Sequence, residues 1–273
     1  MAPAGLSRQA LAELQAQLAA LDWQAPWLRP WAATGRACLQ GLAAGQGLHS
    51  ALTGDAGVQF VPQDALPAGE AYEAFVHRTG QVPTRPNLHD VFNAWCWQRF
   101  PLAKRQLNRV QAAEIARQGV GQRRGPVRDA ITVLDENGAL LQAPEPLWPL
   151  LREHRWHEAL VQRRALWDQA KVWVFGHAAL EKLVQPYKRI TVHLWAVPPE
   201  LPEAALDSWL AQDWQPERLA AKPFAPLPVL GVPGWWPANA DPLFYDDADV
   251  FRPARQQRLP EKPSASRGIA QQA

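Results

Sequence analysis

Apolar residues recur at helical spacing over residues 7–21, where Leu11, Leu14, Leu18 and Leu21 form one stripe behind Ser7 as N-cap. Short helix continues over 27–42, punctuated by Pro26, Pro30 and Gly35. Residues 58–61 read as a short strand, and 71–78 as an amphipathic helix ending at Gly80. Two prolines hold 81–86 extended.

Asn87 then caps a helix running to about Phe100, with Asp90 at its third position. Pro101 opens the next helix, which stops before Gly119. Residues 130–135 and 139–142 alternate around Asn137-Gly138, which predicts a β-hairpin with a type I′ turn. Helix in two pieces is expected over 145–168, a buried strand over 171–175, and a helix from Gly176-His177 to Val184. Residues 190–197 form the clearest strand, and 203–212 one more helix. Prolines crowd 216–253, which predicts an extended segment wrapping the core. The last stretch is polar and predicts disorder.

This mixture predicts an α+β fold, with helices packed on a small, largely antiparallel sheet. Three regions follow: an N-terminal helical extension (1–55), a main α+β domain (56–253) and a disordered tail (254–273). The stretches VPTRPNLHDVFNAWCWQRFPLAKRQLN, RDAITVLDENGALL, FGHAALEKLVQPYKRIT and PVLGVPGWWPANADPLFYDDADVFRP resemble an uncharacterised bacterial family, domain of unknown function 3025. That resemblance covers most of the chain and implies no activity, cofactor or catalytic residue.

Composition narrows the classes. The formal charge of +2 is too mild to make nucleic acid or an anionic membrane an obligatory partner. Fourteen tryptophans suggest a Trp-rich core rather than a stacking platform. Cys38 and Cys96 stand in no close motif and fit reduced thiols. With no secretory leader and no long uncharged apolar run, a soluble cytoplasmic protein is expected.

Candidate chemistry gathers at four places. His89, Asn93 and Trp97 share one helix face, and Lys104, Asn108 and Gln111 the next. Across an antiparallel seam they would hold a carboxylate or phosphate, or serve only as an amide ladder fixing register. The loop over 117–128 carries Arg117, Arg123, Arg124 and Arg128. It follows a helix, whereas phosphate-cradling loops precede one, so a solvated loop is the plainer reading. Arg128-Asp129 could instead enter a site.

His177, in the first turn of its helix, feels the positive dipole end and should stay neutral, with Glu181 or Asp129 orienting it. Acids at Asp135-Glu136 and Asp246-Asp247 could bind a divalent cation beside histidines, but match no metal-loop spacing. Exposed turn chemistry therefore explains Glu136, and no metal is assigned.

The expectation is an enzyme or binding protein for a small anionic ligand. His177, Glu181 and Asp129 would be catalytic, and His89, Asn93, Lys104, Asn108 and Arg128 would bind the ligand. The alternative is a module binding nucleic acid or an acidic protein through loop 117–128. A third class, a purely structural partner, would display an exposed tryptophan patch. Cofactor and oligomeric state are left open.

Overall fold

The computed structural model describes residues 8–52, 56–119 and 125–254. The chain begins with α1 (Arg8–Ala19), α2 (Ala32–Ala43) and one turn, α3 (Leu48–Ala51). Leu14 and Leu18 of the predicted stripe are buried, whereas Ser7 lies outside the described residues. These helices share the core of the rest of the chain. Trp23 tilts against Trp95 with ring centroids 5.9 Å apart, and Trp31 meets Phe100 edge-on at 6.1 Å.

A small parallel pair follows, β1 (Gln59–Val61) with β2 (Gln81–Pro83), connected through α4 (Tyr72–Thr79). Gly80 closes α4 at φ 67°, a left-handed cap that costs glycine little. Next come α5 (Leu88–Arg99) and α6 (Pro101–Gln118). The Asn87 side chain accepts the Asp90 N–H at 2.8 Å, and Pro101 occupies the first turn of α6.

The predicted hairpin does not form. Residues 126–137 are a helix, α7 (Pro126–Asn137), which runs directly into β3 (Gly138–Gln142). Val127, Ala130, Ile131 and Leu134 bury at helical spacing behind Pro126 in the first turn, and this pattern outweighs the local Asn-Gly signal. Gly138 is extended (φ −76°, ψ 151°), not left-handed as a type I′ turn requires.

The remaining elements are α8 (Leu147–Arg152), β4 (Lys171–Val174), α9 (His177–Lys182), β5 (Thr191–Val197), α10 (Leu206–Asp213), α11 (Pro216–Ala220) and β6 (Ala225–Pro228). Four strands form one sheet in the order β4-β3-β5-β6. The β3–β4 and β5–β6 pairs are antiparallel, and β3–β5 is parallel with Leu140 opposite Trp195. Every residue of β3 is buried, as a central strand covered on both faces requires. The fold is therefore α+β, helices on a small, mostly antiparallel sheet.

The core is rich in tryptophan, with Trp31, Trp95, Trp195 and Trp214 wholly enclosed. The proline-rich segment lies over the body, punctuated by α11, β6 and short 3-10 turns, and pinned by Leu230, Tyr245 and Phe251. Its acids are tied down too, Asp247 to Lys188 and Asp249 to Arg189, each at 3.1 Å. Beyond residue 254 the expected tail lies outside the described residues. Among the described residues no helix is long and apolar enough to cross a membrane.

Candidate functional site

One glycine positions the site. A Cβ on Gly176 would stand 2.5 Å from both Asn137 N and Glu136 O, so only glycine lets the β4–α9 junction press against the end of α7. The Gly176 N–H also donates to Gly138 O at 2.7 Å. This close approach sets His177, the next residue, against Asp135 and Glu136.

Around this junction lies a cavity of about 330 Å³, walled by α4, α5, α6 and α7. His89, Asn93, Lys104, Asn108 and His177 all line it, as do Trp97 and Gln111 of the predicted stripes. The two helix faces do meet at one rung, where Lys104 Nζ donates to Asn93 Oδ1 at 2.8 Å. Elsewhere the amides turn to α4 instead. Asn108 donates to Glu73 O at 2.9 Å and Gln111 to the Glu73 carboxylate at 2.7 Å.

At the inner end two imidazoles face each other, His89 Nε2 lying 3.1 Å from His177 Nε2 with the rings edge-on at 79°. Glu136 Oε2 stands 3.6 Å from the same His177 nitrogen. On its far side His89 Nδ1 meets Glu181 Oε2 at 2.8 Å. His177 Nδ1 is buried without a hydrogen-bond partner among the described residues, and Asp135 Oδ2 is 4.0 Å away. Lys104, only 4% exposed, forms an ion pair with Asp135.

Burial pushes the His177 imidazole down to about 4, with Lys104 and His89 acting in the same direction and Asp135 opposing. For Asp135 burial pushes upward, but Lys104 and His177 outweigh it and hold the carboxyl low. Glu136 is raised, first by burial and then by the neighbouring Asp135 charge. Three carboxylates (Asp135, Glu136, Glu181) thus surround the histidine pair, with Lys104 and Lys182 as the ammonium groups that act on Glu136.

Three expected members lie outside the cavity lining. Asp129 pairs with Lys222 and is half exposed. It is six residues from Asp135 on one helix, so the two point to different sides and Asp129 does not orient His177. Glu181 approaches His89 instead, because one further turn of α9 carries it past His177 towards α5. Arg128 is buried outside the cavity lining, with Nε and Nη1 lacking partners among the described residues. Arg117 is occupied by Glu114 at 2.9 Å, while Arg123 and Arg124 lie outside the described residues.

Glu136, assigned from sequence to an exposed turn, and Asp135, read as the end of the hairpin's first strand, stand inside the site. The helical spacing behind Pro126 was the signal that would have placed them there. Tyr72 and the Arg85–Asp90 pair also line the cavity, with Arg85 Nε 3.0 Å from Asp90 Oδ2. No local pattern marks them.

The family model described as Protein of unknown function (DUF3025) matches residues 58–255. No curated protein and no solved structure matches the chain.

Proposed function

The chain belongs to the DUF3025 family, whose description names no activity, and from the site alone we propose that it binds a small polar molecule and acts on it chemically. The observation that carries this reading is the His89–His177 contact of 3.1 Å in the wall of a cavity lined by polar side chains. Buried polar groups are costly unless paired, and a ligand would complete their pairing. The two buried free cysteines are in keeping with a reducing, cytoplasmic setting.

The side chains expected from sequence to hold an anion are not available to one. Lys104 is committed to Asp135, and Arg128 does not reach the cavity lining, so neither is a ready anion holder. A polar, uncharged or zwitterionic body fits the walls better.

Thermal-shift screening of sugars, amino acids, dicarboxylates, sugar phosphates and nucleotides tests the reading. A ligand at a hundred times its dissociation constant adds about 2.7 kcal/mol of stability. At least one class should stabilise the protein and lose its effect in Thr132→Trp, which fills the cavity from α7. If no compound shifts the melting point, or if Thr132→Trp responds like the parent, the cavity is not a ligand site.

A further inference from the structure

We propose that His89, Glu136 and His177 bind one divalent first-row transition-metal ion in the wall of the cavity. The ligand atoms come from three helices, α5, α7 and α9, and all lie within 4.8 Å of one another.

Spacing is the first argument. Two imidazole nitrogens bound at roughly 2.0–2.1 Å to a tetrahedral centre sit about 3.3 Å apart, and in an octahedral centre about 3 Å. The two Nε2 atoms here are 3.1 Å apart, and Glu136 Oε2 is 3.6 Å from one of them. The His89–Glu136 separation is bounded at 4.8 Å, so the Glu136 side chain is the group that must move in to bring all three around a common ion.

Proton placement is the second. His89 Nδ1 faces the Glu181 carboxylate, so in the neutral ring it carries the hydrogen and Nε2 bears the lone pair. A neutral His177 has a single hydrogen to place. On Nδ1, it leaves two Nε2 lone pairs opposed at 3.1 Å. On Nε2, it leaves the Nδ1 lone pair buried with no donor among the described residues. A cation between the rings resolves both problems, since both Nε2 atoms then coordinate and His177 Nδ1–H points towards Asp135.

Charge and surroundings complete the case. Asp135, Glu136 and Glu181 outnumber Lys104 and Lys182 as charged groups about the pair, leaving an excess of negative charge for a cation to neutralise. Metal-bound histidines usually direct their other ring nitrogen at a carboxylate; Glu181 stands in that relation to His89, and Asp135 is the carboxylate on the Nδ1 side of His177, 4.0 Å away. Imidazole nitrogen with one carboxylate suits zinc, iron, cobalt or nickel better than magnesium or calcium. Three protein ligands leave positions open towards the cavity, as in catalytic rather than structural sites. An oxygen of the bound molecule would occupy them, so an anionic group would be held by the ion and not by Lys104. This use of the metal rests on the cavity reading above, whereas its binding does not.

The test uses the full chain, stripped with chelator and then titrated with Co²⁺ for visible d–d bands and with Zn²⁺ by calorimetry. One ion per chain should bind, with Zn²⁺ displacing Co²⁺. Glu136→Gln and His89→Gln should each weaken binding by at least about 100-fold, beyond what an outer carboxylate typically controls. Circular dichroism should show both variants folded, which His177→Ala, buried as it is, would not guarantee. Asp249→Asn, an acid on the exposed C-terminal segment, should bind as the parent does. Absence of d–d bands and of binding heat overturns the proposal, as does parental affinity in both ligand variants. Metal binding without any small-molecule shift supports the metal site and overturns the cavity reading. A small-molecule shift in stripped protein that binds no metal does the reverse.

Discussion

Glu181 reaches across 92 positions of sequence to hold His89, its Oε2 lying 2.8 Å from the ring Nδ1. The contact fixes the tautomer of His89 and aims Nε2 at His177. Glu181 is therefore a positioning residue, half exposed and outside the proposed coordination sphere. Glu181→Gln, which still accepts from the ring but carries no charge, should lower Zn²⁺ affinity about tenfold. Glu181→Ala should approach 100-fold, the upper end for outer carboxylates. Metal-free stability should move by less than about 0.5 kcal/mol in either variant, as is usual for an exposed position. Calorimetric titration beside urea unfolding separates the two effects, and unchanged affinity in Glu181→Ala would remove its role.

Lys104 and Asp135 form the charged floor of the cavity. Lys104→Met strands a carboxylate that is about a third exposed and also leaves Asn93 Oδ1 without its donor. Breaking a buried pair from one side costs about 3–5 kcal/mol, and the partial exposure of Asp135 places this case near 3. Replacing both partners, Lys104→Met with Asp135→Leu, should recover most of that loss. Urea unfolding of the two single variants and the double gives the coupling directly. A single-variant loss below 1 kcal/mol would mean water already screens the pair.

Much of this architecture was legible in the chain because its signals are local. Asn87 caps α5, Pro101 starts α6, and the four-residue spacing of His89, Asn93 and Trp97 brings them to one cavity. The error at Asn137-Gly138 was local as well. A two-residue turn signal was set above a twelve-residue helical pattern, and the side-chain period changes from 3.6 to 2 when helix is read as strand. That single misreading removed Asp135 and Glu136 from the site and gave Asp129 a direction it does not have. The His89–Glu181 and Gly176–Glu136 contacts lie beyond sequence logic of this kind, because tertiary packing alone brings α5, α7 and α9 together.

Asn239 shows how the proline-rich segment is fixed. It is 1% exposed, and its Nδ2 donates to Leu230 O at 2.8 Å and Val232 O at 2.7 Å. Its Oδ1 accepts from Arg164 Nη2 at 3.2 Å. Asn239→Ala leaves the Leu230 carbonyl without a donor, while Val232 O keeps the Trp235 N–H at 3.0 Å, and it strips Arg164 of its Oδ1 acceptor, at a cost of about 2 kcal/mol. The loss should be local as well as global: hydrogen exchange in residues 229–245 should accelerate more than in β3 or β5. Uniform acceleration across the sheet would show that the segment unfolds only with the whole domain.

His193 gives the fold an acid sensitivity separate from the cavity. It lies on β5, with its ring edge-on to Phe224 at a centroid distance of 6.0 Å, and burial lowers its pKa. The folded state therefore favours neutral imidazole, while the unfolded chain takes up a proton near the free value of about 6.5. The unfolded state binds more protons as pH falls through that value, so stability drops in the same direction. The contribution is fully present above about pH 6.5 and is lost towards the lower folded pKa. His193→Leu cannot titrate and should flatten the decline in urea midpoint between pH 7 and 5. Parallel pH profiles for parent and variant would show that His193 is protonated equally easily in both states.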